Sequence, residues 1–195
     1  YAARVSNPSN QLNTLTANKL LKYLIKHKHW SPFEIVNVVI EINTTRDIGR
    51  QILRHRSFQF QEFSQRYANP TDDLGYFIRE TRLQDNKNRQ NSIETNDNSL
   101  KKTWLDMQYH IKDLTQSYYN WAIENNIAKE QARSILPEGM VKSRLYMNGT
   151  LRSWIHYCHL RMGVETQKEH REIAIDCWYE ILKEFPELES ISIAE

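Results

Sequence analysis

Residues 51–67 read Gln51-Ile52-Leu53-Arg54-His55-Arg56-Ser57-Phe58-Gln59-Phe60-Gln61-Glu62-Phe63-Ser64-Gln65-Arg66-Tyr67, and the period of the pattern changes inside them. Upstream, Thr44-Thr45-Arg46-Asp47 has the form of a helix N-cap, and Ile48, Ile52 and Leu53 share one helical face. A short amphipathic helix therefore runs into Arg54. After Ser57, Phe58 and Phe60 alternate with Gln59 and Gln61, the two-residue period of an extended strand. Continued to Tyr67, that strand puts Glu62, Ser64 and Arg66 on one face. Helix and strand this close together predict a mixed fold.

The flanks support the same reading. From Thr16, Leu20, Leu21, Leu24 and Ile25 have helical spacing, and Lys26-His27-Lys28-His29 place cations at the negative end of the helix dipole. Residues 1–15 are polar and read as a loop. Ser31-Pro32-Phe33-Glu34 has the form of a capping box. Val36, Val38, Ile40 and Ile42 alternate as a strand does, and further strands are expected at 76–84 and 140–147. Residues 85–99 are polar and aperiodic and read as a flexible loop. Trp104, Met107, Ile111, Leu114, Tyr118 and Trp121 form a helical stripe expected to be core. Helices are also expected at 128–136 (stopped by Pro137), 150–160 and 167–185. The expected fold is α+β, one domain over residues 1–195, with a largely antiparallel mixed sheet flanked by long helices.

Composition narrows the function. The chain has 195 residues, with 26 Lys+Arg against 24 Asp+Glu, a net charge of +2. That near balance argues against a protein devoted to coating nucleic acid. Only five Gly and five Pro occur, and the glycines are too dispersed for a phosphate-cradling loop. Any phosphate must be held by side chains. Cys158 and Cys177 make no C-x-x-C motif and fit a reducing cytosol, so a cytoplasmic location is expected. No membrane span or signal peptide is visible, and the start at Tyr1 is read as a trimmed N-terminus. Metal-ligand spacing is not seen around His27, His110, His159 or His170, so no metal is expected.

A guanidinium, a hydroxyl and a carboxylate on one strand face suit an anionic, hydrogen-bonding ligand, because the Arg fork donates two parallel hydrogen bonds to phosphate. The same spacing suits a surface ion-pair network, and spacing alone does not separate the two. Ser64 has no His–Asp partner pattern that would activate it as a nucleophile, and is read as a binding residue.

The segment nevertheless resembles the R-H-R-x7-S signature of the flavin-dependent thymidylate synthases: Arg54-His55-Arg56, seven residues, then Ser64. His29-Trp30-Ser31-Pro32-Phe33-Glu34 resembles that family's H-x-[ST]-P-F-E segment. Ala132-Arg133-Ser134-Ile135-Leu136-Pro137 resembles its A-R-x-x-L-P. Arg152 through Arg161, with Gln167 to Ala174, resembles its C-terminal block. Two departures stand out: Gln61 replaces a frequent Asn, amide for amide, and the region from Asn148 to Arg152 carries a one-residue length difference from some members.

The resemblance implies an FAD-dependent thymidylate synthase, a methyltransferase of nucleotide biosynthesis. It would convert dUMP to dTMP with 5,10-methylenetetrahydrofolate as carbon donor, FADH2 as hydride donor and NADPH to re-reduce the flavin. It also implies a homotetramer with active sites between subunits, binding neither nucleic acid nor membrane. The implied FAD contacts are Ser31, Arg54, His55, Arg56, Glu62, Asn148, Thr150, Arg152 and His156. The implied dUMP contacts are Gln51, Arg54, Glu62, Ser64, Gln65, Arg66, Arg133 and Arg161, with Arg161 catalytic through polarisation of the uracil ring. Such a guanidinium would stabilise charge building in the ring as hydride reaches C6 and C5 becomes nucleophilic. Trp104, Trp121, Trp154 and Trp178 are read as core or interface; Trp30, beside His29, is kept as a candidate for stacking on the flavin. The competing class is an arginine-rich nucleic-acid-binding domain that uses Arg50, Arg54, Arg56 and Arg66 on phosphates.

Overall fold

The structure, a computed structural model, describes residues 1–190, and its architecture there is α+β. In chain order the α-helices are α1 (Ala17–Lys26), α2 (Arg46–Ile52), α3 (Pro70–Asp73), α4 (Asn98–Glu124), α5 (Lys129–Ala132), α6 (Leu151–Arg161) and α7 (Lys168–Glu184). The strands are β1 (Asn37–Thr45), β2 (Gln59–Glu62), β3 (Arg82–Gln84), β4 (Ser92–Glu94) and β5 (Lys142–Thr150). β1, β5 and β2 pair in that order, and β3 pairs with β4 antiparallel, Leu83 opposite Ile93. Contacts group the residues into two units, one of residues 1–40, 55–59 and 147–190, the other of residues 41–54 and 60–146.

In the first unit, α6 and α7 pack together. α7 buries His170, Ala174, Cys177, Trp178 and Ile181, spaced as one helical face, and α6 buries Trp154, Ile155, Tyr157 and Cys158. Gly149 on β5 makes room for Phe58: a Cβ there would run into the Phe58 ring, closer than non-bonded carbons approach. Phe58 in turn meets Trp154 edge-on, with ring centroids 4.9 Å apart. Both cysteines are buried free thiols, and burial raises their pKa values, that of Cys177 to about 12.

In the second unit, Tyr119, Ala122, Ala132, Leu136 and Val141 form an apolar cluster. Gln108 of α4 is also buried, and its carboxamide imitates a strand partner. Its Oε1 accepts from the Arg79 backbone N–H at 2.8 Å, and its Nε2 donates to the Arg79 carbonyl at 2.9 Å. Arg79 donates from its guanidinium to both Asp47 carboxylate oxygens at 2.8 Å.

Several expectations need correction. The stripe of α4 is not core: Trp104, Met107, Ile111, Leu114, Tyr118 and Trp121 are all exposed, Trp121 at 59%. The buried positions of α4 are Gln108, Tyr119 and Ala122, because the apolar cluster meets a different face of this helix. Residues 85–99 are not simply a loop, since 92–94 close a hairpin onto β3 and α4 begins at Asn98. The strand expected at 76–84 is reduced to β3 and an isolated bridge from Tyr76 to Val141. Residues 1–15 contain two 3-10 turns, Ala2–Arg4 and Pro8–Asn10. Ser31–Glu34 is a 3-10 turn without a side-chain cap, so the capping box does not form.

Candidate active site

The R-H-R triplet lies in the turn after α2, where the chain leaves its helix and re-enters as β2. β2 ends at Glu62, and Ser64, Gln65 and Arg66 follow in a turn. The Ser64 carbonyl accepts from the backbone N–H groups of Tyr67 (3.1 Å) and Ala68 (3.2 Å). The expected alignment of Glu62, Ser64 and Arg66 on one strand face is therefore replaced by turn geometry.

In the second unit, Glu62 anchors an ion-pair group. Its Oε1 accepts from the Ser143 hydroxyl at 2.8 Å and lies 3.6 Å from the Arg46 guanidinium. Glu138 contacts both Arg46 and Arg50, and Arg50 is held protonated most strongly by that carboxylate. Ser64 Oγ accepts from the Arg66 backbone N–H at 3.4 Å, and exposed Arg66 lies 3.6 Å from Glu130. Gln65 is buried, and its side-chain Nε2 has no hydrogen-bond partner in this structure. Gln51 and Arg133 are half-buried, and Arg54 is exposed.

In the first unit, a cavity of about 740 Å³ is lined by Trp30, Glu34, Thr150, Arg152, His156 and His159 among others, with Ile25 and Ile155 as apolar wall and Lys28 as a second cation. Its geometry follows from α6. Arg152, His156 and His159 are spaced four and three apart, so one helical face carries all three. Thr150 caps this helix, accepting from the Ser153 N–H at 3.2 Å, while its hydroxyl donates to Glu34 at 3.0 Å. Arg152 pairs with the same Glu34 carboxylate. The Arg152 hydrogen bond, then that from Thr150, hold the Glu34 carboxyl below the usual carboxylate range. Ser31 itself is exposed beside Trp30, Arg56 is exposed, and Asn148 donates to Gln59 Oε1 at 3.4 Å. Burial, then the charge of His156, lowers the pKa of His159, whose Nε2 is buried without a partner in this structure.

A second face of α6 carries Trp154, Tyr157 and Arg161. Arg161 Nε donates to His55 Nε2 at 2.9 Å, and the His55 ring stands edge-on to Tyr157 with centroids 4.9 Å apart. Thus α6 brings Thr150, Arg152 and His156 to the cavity and Arg161 to His55. Glu34, Lys28, Ser57 and His159 are cavity residues that sequence reasoning did not assign. Glu34 had been absorbed by a capping signal, and the fourfold spacing from His156 back to Arg152 was the available clue to the helical face.

Aromatic and aliphatic walls with two cations suit a planar heterocycle that carries phosphate, and the cavity volume lies within the range of small-molecule sites. Among the described residues no group of three or more His, Cys, Asp and Glu could hold a metal ion, and no helix is long and apolar enough to cross a membrane.

The fold and this cavity thus describe an α+β protein with a cavity whose lining suits a phosphorylated ring compound. The thymidylate synthase complementing protein description matches residues 1–187, and the chain belongs to that family. A probable flavin-dependent thymidylate synthase of Paramecium bursaria Chlorella virus 1 is 48% identical over 188 residues, covering 96% of this chain and 86% of its own. A flavin-dependent thymidylate synthase of Synechocystis is 50% identical over 186 residues, covering 95% of this chain and 84% of its own. In fold, the chain matches the crystal structure of the UMP/dUMP methylase PolB from Streptomyces cacaoi bound with 5-Br UMP. The TM-score is 0.81 at 20% identity, over 100% of this chain and 90% of that one. None of these relatives supports a nucleic-acid-binding domain.

Proposed function

We propose that the chain is a flavin-dependent thymidylate synthase that methylates dUMP to dTMP. Carrying this reading is the near-complete match to relatives of that name, at 48% and 50% identity, by a chain in which every residue of the R-H-R-x7-S signature is present. The carbon donor is 5,10-methylenetetrahydrofolate, and NADPH supplies electrons. The active domain spans residues 1–195, and a cytoplasmic location fits its two free thiols.

FAD, once bound and reduced by NADPH, would supply the hydride. Its holding residues are Ser31, Arg54, His55, Arg56, Glu62, Asn148, Thr150, Arg152 and His156. Thr150, Arg152 and His156 already line one cavity, which supports this assignment. Glu34 fixes Arg152 in place before any phosphate arrives, and the positive end of α6 adds a field of the right sign. Gln51, Arg54, Glu62, Ser64, Gln65, Arg66 and Arg133 bind dUMP. Arg161 places a permanent positive charge against the uracil ring, which lowers the energy of the charge that develops there. Because a guanidinium stays protonated, Arg161 acts through its field rather than by giving up a proton.

The active unit is a homotetramer whose sites draw on more than one copy. The exposed stripe on α4 supports self-association. From Trp104 to Trp121 it runs about 26 Å along the helix, and monomeric proteins rarely leave such a patch to water.

The test is spectroscopic. The purified protein, supplied with FAD, should show flavin absorbance that changes on adding dUMP. A colourless protein that takes up no FAD would overturn the reading.

A further inference from the structure

We infer that Tyr157 and His170 are positioning residues for Arg161, acting through His55. The inference rests on the role of Arg161 given above, and its geometry is read from this chain. Arg161 donates through Nε to His55 Nε2, so that nitrogen must be without a proton and the imidazole neutral, with its proton on Nδ1. Any rotation of the His55 ring breaks this bond and frees the guanidinium to swing.

The His55 ring is held by Tyr157, edge-on at 4.9 Å and 86°. Tyr157 is 1% exposed and is wedged by Phe58 and Trp154, at centroid distances of 5.8 and 5.7 Å. Those contacts fix the plane of the Tyr157 ring. Its position along its own long axis is fixed by something else: the hydroxyl shares a 3.1 Å hydrogen bond with His170 Nε2. His170 is fully buried on α7, and burial, then the charge of Arg161, keep it neutral, with a pKa lowered to about 4. A Phe and a Leu would fill the same space without sinking polar atoms into an apolar helix interface. The polar pair adds orientation, which packing alone does not supply. The path runs from α7 through α6 to the turn after α2 and back to Arg161 at the end of α6.

Three substitutions separate positioning from bulk stability. Tyr157→Phe keeps the ring and removes the hydroxyl. His170→Leu removes the partner, and His170→Gln restores a group able to hydrogen-bond it. Expected for Tyr157→Phe and His170→Leu is about a tenfold fall in kcat for dTMP formation, the size of one net hydrogen bond, with KM for dUMP little changed. His170→Gln should recover most of the loss. In an Arg161→Lys background Tyr157→Phe should cost nothing further.

A second readout needs neither flavin nor turnover. The 15N spectrum of the ligand-free protein should show His55 as the Nδ1–H tautomer, and in Tyr157→Phe as a mixture of tautomers. An unchanged kcat together with an unchanged His55 spectrum in folded Tyr157→Phe would overturn the inference. If the wild-type protein makes no dTMP, the proposed function fails, and the 15N spectra still decide this positioning role. Should Tyr157→Phe not fold, the contrast between His170→Leu and His170→Gln decides it.

Discussion

Arg161 and Arg66 carry different burdens. Arg161→Ala should abolish dTMP formation while flavin binding, followed by absorbance, is largely kept; retained turnover would remove Arg161 from the mechanism. Arg66→Ala should weaken dUMP binding roughly ten- to a hundredfold, the worth of one charge-assisted hydrogen bond. An unchanged dUMP affinity, measured by flavin difference spectra, would return Arg66 to its surface pairing with Glu130. His170 also makes stability depend on pH. Its pKa falls from 6.5 to about 4 on folding, so the unfolded chain takes up the proton first as pH drops. The stabilisation is present above about pH 6.5 and is lost as pH falls toward 4. Between about pH 7 and pH 5 the wild type should lose about 2 kcal/mol that His170→Gln does not lose. Paired urea titrations of the two proteins measure it, and equal losses would contradict the buried neutral state.

At the level of elements, β5 and the start of α6 bear the most consequence. Thr150→Ala removes an N-cap and a Glu34 partner, and should cost about 1 kcal/mol in denaturant unfolding. Gly149→Ala drives a methyl group into Phe58 and should cost about 1–3 kcal/mol, with disturbance of the cavity beside it. Much of this was legible in the sequence. α1, α2, β1, α6 and α7 lie within a few residues of their expected bounds, because one-sided apolar periodicity marks an element whose other side is polar. The capping signal at Ser31–Glu34 misled because Glu34 reaches residues 116 and 118 positions away, Thr150 and Arg152, which no local pattern encodes. The β3–β4 hairpin was missed because it is short and exposed, so little apolar alternation marks it. The signature residues were legible through resemblance, whereas the Tyr157–His170 pair carries no local signal. Its members are 13 positions apart and meet only when α6 packs on α7.

For the whole molecule, the reading of α4 changes the outlook most. Periodicity marked an apolar helical face and led to the expectation of core, which the exposure of that face overturns, since a buried and an exposed apolar stripe present the same pattern. Placing lysines at Ile111 and Tyr118 should lower the mass seen by analytical ultracentrifugation while helix content is kept. An unaltered mass would exclude this face from self-association. The central claim is chemical. Purified protein given FAD, NADPH, 5,10-methylenetetrahydrofolate and dUMP should yield dTMP, detected by mass spectrometry as a gain of one carbon on the base. A protein that binds FAD and dUMP yet leaves dUMP unmethylated under those conditions would contradict it.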